Sequence, residues 1–334
     1  MSGVAIALVI ATAAAVSAGL IVLLRPVLRR YALARPNARS SHSEPTPQGG
    51  GIAVVAAVIA VGGLACLSLS LPELSPLAWV FAAAAFIALV GAIDDIWTVG
   101  VLPRLLLQAL AVGLVIAALP SELRAVPSLP WWIERALLLI AGLWLVNLTN
   151  FMDGIDWMTV AEVVPVAAGL ALIGLVGGLP QAGVIVALAL VGALLGFAPF
   201  NRPVAHLFLG DVGSLPIGLV LFWLLALLAG AGHLAAALIL PLYYVADTTI
   251  TLLRRLANRE PFWQAHRTHY YQQATDRGFR VVDVVAGVFA VNVVLVALAL
   301  ATVLWPGRLM AAGALVAAAA VVGCLLFSFQ RGRS

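Results

Sequence analysis

Eleven apolar stretches follow one another along the chain, near 4–24, 51–71, 77–93, 104–120, 131–147, 160–178, 181–199, 213–230, 233–252, 284–304 and 309–328. Each is about long enough, as a helix, to cross roughly 30 Å of hydrocarbon. Lipid offers no water to a bare backbone, so such segments are expected to be helices that satisfy their own N–H and C=O groups. The expected fold class is all-α: a polytopic integral membrane helical bundle of about eleven transmembrane helices, or ten if neighbours among the closely spaced fifth to ninth merge. With 63% hydrophobic and 10% charged residues, and a mean hydropathy of +1.11, a water-soluble globule is excluded, because its surface would be far too apolar. Stretches 2, 4 and 6–11 are rich in Gly and Ala, which permits close helix contact. The chain, 1–334, reads as a single membrane-embedded domain.

All positive side-chain charge comes from arginine. If the connections alternate sides, one face receives fifteen of the eighteen: Arg25, Arg29, Arg30, Arg35, Arg39, Arg104, Arg202, Arg254, Arg255, Arg259, Arg267, Arg277, Arg280, Arg331 and Arg333. The other face has Arg124, Arg135 and Arg308. This asymmetry makes the first face cytoplasmic, the N-terminus external and the C-terminus cytoplasmic. Cytoplasmic loops are expected near 25–50, 94–103, 147–159, 199–212 and 254–283. The basic pI then reflects topology and anionic ligands, and no nucleic acid is expected as a partner. Arg25, Arg29 and Arg30 also follow the first stretch closely, the wrong flank for a cleaved export signal. Cys66 and Cys324 both lie in apolar stretches and read as buried thiols without a disulfide framework.

Polar residues gather in five motifs. "GAIDDIWTVG" places Asp94 and Asp95 at the end of the third stretch; adjacent carboxylates repel, and a solvated helix end is the plain alternative. "NLTNFMDGIDWM" spaces Asn147, Asn150, Asp153 and Asp156 at intervals of three, which line up on one edge only if the helix tightens towards 3₁₀. Gly154 disfavours a regular helix to the end of that run, so a broken helix end facing a cleft is expected, against a simple polar turn. "FLGDVGSLPIG" sets Asp211 before a helix start, where it is either an N-cap or part of a metal–phosphate site. "PFWQAHRTHYYQQATDRG" carries His266, Arg267 and His269 with Tyr270 and Tyr271: two histidines are a weak zinc signal, and arginine beside aromatic rings suits an anionic, planar ligand better. "RPNARSSHSEPTPQGGG" reads as an ordered loop with Arg39, His42 and Thr46 as cationic and hydroxyl candidates, or as a basic linker.

All five motifs fall on the face that arginine marks as cytoplasmic. Carboxylate and carboxamide oxygens without a cysteine or histidine cage suit Mg²⁺ or Mn²⁺, hard cations that share their ligands with substrate phosphates. Together with arginines at a lipid boundary they describe phosphoryl transfer between a nucleotide substrate and a lipid phosphate. A cation-coupled transporter would instead string its charges across the membrane, and only Glu162 and Asp247 lie deep.

In order and spacing these motifs resemble the polyprenyl-phosphate N-acetylhexosamine-1-phosphate transferases, glycosyltransferase family 4, relatives of the phospho-N-acetylmuramoyl-pentapeptide transferase. The resemblance implies transfer of a sugar-1-phosphate from a UDP-N-acetylhexosamine to undecaprenyl phosphate, with release of UMP, at the cytoplasmic face of a bacterial inner membrane. It implies catalytic roles for Asp94, Asp95 and Asp156, and Mg²⁺ (or Mn²⁺) on Asp211 and Asn150. It also implies substrate contacts at Asp153, Asn147, His266, Arg267, His269, Arg39, His42 and Thr46, and allows a homodimer. Two departures stand out. Relatives commonly read GIDG where this chain has Trp157 after Asp156, and "HRTHYYQ" is unlike the His-rich run of the pentapeptide-using branch. The second departure points to the branch serving O-antigen and other surface glycans rather than peptidoglycan.

Overall fold

The computed structural model describes residues 1–34, 45–260 and 266–333. Its thirteen helices are α1 (Gly3–Tyr31), α2 (Gly51–Ser68), α3 (Leu74–Ile96), α4 (Val101–Ala118), α5 (Trp131–Met152), α6 (Met158–Ile173), α7 (Gln181–Phe197), α8 (Asp211–Gly230), α9 (Leu234–Ile239), α10 (Leu242–Ala257), α11 (Tyr270–Asp276), α12 (Val281–Leu304) and α13 (Arg308–Arg331). A single π turn, Gly174–Gly178, extends α6. Among the described residues nine helical segments are long and apolar enough to cross a membrane, and α7, at 17 residues, is a shorter apolar helix. The chain is a polytopic helical membrane protein.

Ten of the expected apolar stretches each become one continuous helical segment. The stretch 233–252 does not: it breaks at Leu240 and Pro241 into α9 and α10. Proline has no N–H to donate and its ring crowds the preceding turn, which favours a break here, although α1, α6 and α8 each run through an internal proline. After the break α10 turns amphipathic, burying Tyr243, Tyr244, Asp247, Thr248 and Thr251 while exposing Ile250, Leu253 and Leu256.

At the centre stands α8, whose membrane-length window is entirely buried. It packs against α3 and α5, with α2 and α7 nearby, while α1, α4 and α13 lie outside and turn Leu8, Leu106 and Val316 outward. In hydrocarbon such exposure carries no penalty, since lipid tails are as apolar as leucine. The close contacts foreseen from small residues are present between α1 and α7. A Cβ on Gly192 or Gly196 would lie 2.3 Å from the carbonyl oxygen of Ile10 or Ala14. Cys66 is buried as expected, but Cys324 is exposed on the outer side of α13.

A two-stranded antiparallel ribbon, β1 (Leu33–Ala34) with β2 (Thr46–Pro47), closes the end of α1 against the start of α2. Gln48 then bridges to Phe208, and Gly50 and Gly51 donate to the carbonyls of Phe208 and Leu209, each at 2.9 Å. These bonds tie the segment before α8 to the segment before α2, so the polar motifs end at one end of the bundle.

Candidate active site

The centre of the site is the start of α8 against the end of α3. Gly91 makes the approach possible: a Cβ there would lie 2.4 Å from the Asp211 carbonyl oxygen. One turn further along α3, Asp95 accepts the N–H of Asp211 at 3.0 Å through Oδ1 and that of Val212 at 3.1 Å through Oδ2. The carboxylate therefore serves as an N-cap supplied from another helix, satisfying donors that α8 cannot satisfy itself. Gln48 Nε2 donates to the Asp95 carbonyl at 2.9 Å and fixes the same corner. Asp94 faces elsewhere. It accepts the Val99 N–H at 2.7 Å and pairs with Arg104 of α4 at 2.9 Å. Neighbouring helix positions differ by about 100°, so the acidic pair divides between two partners instead of sharing one.

Helix α5 ends at Met152, just before Gly154, as the sequence led us to expect. It stays α-helical to that point, however, and the four polar residues fan out. Asn147 points to α4, with Nδ2 2.7 Å from Gln108 Oε1 and 2.8 Å from the Leu143 carbonyl; it is buried between helices. Asn150, three residues on, reaches α8: Nδ2 lies 2.6 Å from Asp211 Oδ1 and 3.0 Å from Ser214 Oγ. Asp153 accepts from the Thr159 hydroxyl in a short bond. Asp156 accepts the Ala205 N–H at 3.0 Å, clamping the turn to the segment before α8. Trp157 follows in the left-handed region at φ 63°. Its N–H donates to Asn201 Oδ1 at 2.8 Å, and its indole Nε1–H to the Ala198 carbonyl at 2.6 Å. The ring walls an apolar groove of about 330 Å³ with Val160, Val285 and Phe289.

Burial pushes the Asp153 carboxyl up to about 8, and the neighbouring Asp211, Asp95 and Asp156 push the same way against the Thr159 hydrogen bond. Among the described residues neither Asp153 nor Asp211 forms an ion pair. No three acidic, histidine or cysteine side chains converge as a ready cage among the described residues. The donor set fits a hard divalent cation that takes one or two protein oxygens and completes its shell from phosphates and water.

The segment His266–Tyr271 comes in from the far side. Asp247 of α10, fully buried, gathers it: the carboxylate accepts the Tyr270 N–H at 3.0 Å and the Tyr271 N–H at 3.2 Å, and lies 3.3 Å from His269 Nδ1. His269 and Tyr271 are thereby turned inward and buried, and Tyr270 lies beneath the Arg254 guanidinium. The two tyrosines are not the open stacking surface that the sequence suggested. His266 and Arg267 are partly exposed. The His266 ring packs 4.9 Å from that of His269, and Arg267 pairs with Asp276 at 3.1 Å. Thr46 is buried in β2, while Arg39 and His42 lie outside the described residues. Four contributors escaped the sequence reading: Arg104, Gln48, Asn201 and the positioning role of Asp247. Only Asp247 left a signal, an isolated carboxylate within an apolar stretch.

Residues 77–229, which include Asp94, Asp95, Asn150, Asp153, Asp156 and Asp211, match the sequence profile of glycosyl transferase family 4. That match covers just under half of the chain, 153 of its 334 residues. Among its relatives, a "probable undecaprenyl-phosphate N-acetylglucosaminyl 1-phosphate transferase" of Bacillus subtilis (strain 168) is 25% identical over 275 residues, covering 76% of this chain and 74% of the relative. The phospho-N-acetylmuramoyl-pentapeptide-transferase of Synechococcus sp. (strain RCC307) is 38% identical over 198 residues, covering 53% of each protein. A decaprenyl-phosphate N-acetylglucosaminephosphotransferase of Mycobacterium leprae (strain TN) is 32% identical over 222 residues, 58% of this chain and 53% of the relative. The match thus spans about half the length of these last two family members.

Proposed function

We propose that this protein is a member of glycosyl transferase family 4 and transfers N-acetylhexosamine-1-phosphate from a UDP-sugar to undecaprenyl phosphate at the cytoplasmic face of a bacterial inner membrane. The product, a lipid-linked pyrophosphoryl sugar, would begin a surface glycan such as O-antigen. The observation that carries the reading is the meeting of Asp95, Asn150 and Asp211 on three helices, with Asp153 and the His266–Arg267 segment beside them. This is an acidic, oxygen-lined corner whose carboxylates are partly exposed. Relatives named for N-acetylglucosaminyl 1-phosphate and N-acetylglucosamine phosphate transfer support the same chemistry.

Asp211 and Asn150 would hold Mg²⁺, with Asp153 close by. The bound cation supplies neutralisation of phosphate charge and orientation of the pyrophosphate. Asp94, held by Arg104, stands at the end of α3 where an acceptor phosphate arriving from the membrane would need a base or an aligning group. An oxygen of that phosphate attacks the sugar-bound phosphorus; the bond from that phosphorus to the bridging oxygen breaks and UMP departs. Arg267 would offer a cation to the departing nucleotide, and the carboxylates of Asp153 and Asp156 stand on the turn after α5.

A specific observation also keeps the pentapeptide-bearing sugar as a second reading: the Synechococcus relative is named for that activity and is 38% identical over the matched part. Both readings are tested by incubating purified protein with undecaprenyl phosphate, Mg²⁺ and a panel of UDP-N-acetylhexosamines that includes UDP-N-acetylmuramoyl-pentapeptide, and measuring UMP. UMP from a simple amino sugar alone supports the first reading, and UMP from the pentapeptide sugar the second. Folded protein that releases none with any donor overturns both.

A further inference from the structure

The geometry points to Asp247 as the positioning residue that holds the nucleotide-facing side of the site together. Its carboxylate is fully buried on α10, away from Asp211 and the acidic pair, and the proposed chemistry gives it no direct part. Yet it has more partners than any other acidic side chain described above. Besides the N–H groups of Tyr270 and Tyr271 and the ring of His269, the hydroxyls of Tyr243 and Thr251 lie 3.4 and 3.3 Å away. A buried carboxylate with one partner missing is costly, whereas one fully surrounded fixes whatever surrounds it.

What it fixes runs in two directions. Upstream, the His269 ring bonded to Asp247 packs against the His266 ring, and Arg254 Nη2 donates to the Thr268 carbonyl at 2.8 Å. His266 and Arg267 are therefore presented on a segment whose far end is pinned. Downstream, Tyr271 follows the pinned N–H and sends its hydroxyl to the Phe151 carbonyl at 3.0 Å. That carbonyl belongs to the last turn of α5, between Asn150 and Asp153. One carboxylate on a third helix thus sets the distance between the His266–Arg267 segment and the turn that carries Asn150 and Asp153. The inference rests on the proposed transferase reading for the meaning of those two groups.

A positioning role makes a split prediction, because only one of two substrates meets this side. Asp247→Asn keeps the shape but replaces one acceptor oxygen by an N–H₂ group, which cannot accept from the donors on its side. KM for the UDP-sugar is expected to rise about tenfold or more, in line with loss of hydrogen bonds to a charged group. KM for undecaprenyl phosphate is expected to stay within about twofold. Tyr271→Phe removes only the link to Phe151 and is expected to shift the UDP-sugar KM the same way by a smaller factor. It carries the test alone if Asp247→Asn does not fold. An unchanged UDP-sugar KM in the folded variant, or equal changes in both KM values, overturns the inference. Wild-type protein that releases no UMP would instead overturn the transferase reading, so the two failures are distinguishable.

Discussion

Tyr271 and Gly154 meet so closely that a Cβ on Gly154 would lie 2.1 Å from the tyrosine hydroxyl oxygen. The hydroxyl passes over the glycine to reach the Phe151 carbonyl, so α11 and the turn after α5 are in direct contact only because position 154 has no side chain. Gly154→Ala is expected to lower UMP release at least about tenfold by forcing the two apart, the scale of a small misplacement of catalytic groups. Adding Tyr271→Phe removes the atom that clashes, and the double variant is expected to recover part of the loss. A double variant no better than Gly154→Ala alone would show that the contact is not what the glycine protects.

Asp211 and Asp94 are expected to be indispensable for different reasons. Asp211→Asn removes a carboxylate from the corner shared with Asn150 and Asp95, and Asp94→Asn removes the charge that Arg104 faces. Each should reduce turnover by roughly two orders of magnitude or more, the usual scale for losing one preorganised electrostatic group, while membrane insertion and amount of protein stay as in wild type. UMP release near the wild-type rate in either variant would remove that residue from the proposed chemistry.

Much of this was legible in the sequence, and what was not shares a physical cause. Hydrophobic length and arginine asymmetry need only local composition, so the bundle and the gathering of motifs at one end could be read directly. The break at Pro241 was also written in the chain, but an apolar stretch of membrane length outweighed a single proline. Partner choice is different. That Asp95 caps α8 while Asp94 pairs with Arg104 depends on the close seating of α8 against Gly91, a tertiary fact. The same holds for Asn147, which turns to Gln108 instead of the cleft, and for Tyr270 and Tyr271, drawn inward by Asp247. Residue type announced the chemistry, and helix packing decided which atoms face one another.

Trp157 stands where the resemblance implies a glycine, and the backbone there gives a reason glycine suits the position. A backbone at φ 63° is open to glycine and costs other residues about 1 kcal/mol or more. Here the indole compensates through its bond to the Ala198 carbonyl and its packing along the apolar groove. Trp157→Gly relieves the backbone while losing the ring, whereas Trp157→Ala loses the ring and keeps the strain. Thermal unfolding in detergent is expected to rank wild type above or near the glycine variant, with the alanine variant about 1 kcal/mol below the glycine one. An alanine variant as stable as the glycine variant would mean that the left-handed backbone relaxes at no cost.

Asp153 ties the electrostatics of the corner to a measurable proton. Burial and its carboxylate neighbours raise its carboxyl to about 8, so near neutral pH the group is mostly protonated. The native fold then binds a proton that the unfolded chain has already lost. In the absence of a cation this contribution to stability is present below the ordinary carboxylate range and is lost as pH rises through about 8. A divalent cation in the corner favours the ionised form and expels the proton, because ligating or neighbouring carboxylates are most favourable when charged. Calorimetric titration of Mg²⁺ at pH 7 in two buffers of different ionisation enthalpy is expected to show release of close to one proton, falling towards none as the pH is raised well past 8. Asp153→Asn should reduce the release while leaving Asp211 and Asn150 to bind. Equal heats in the two buffers at pH 7, with binding intact, would mean that Asp153 is already ionised there and that the negative charge of the corner is balanced in some other way.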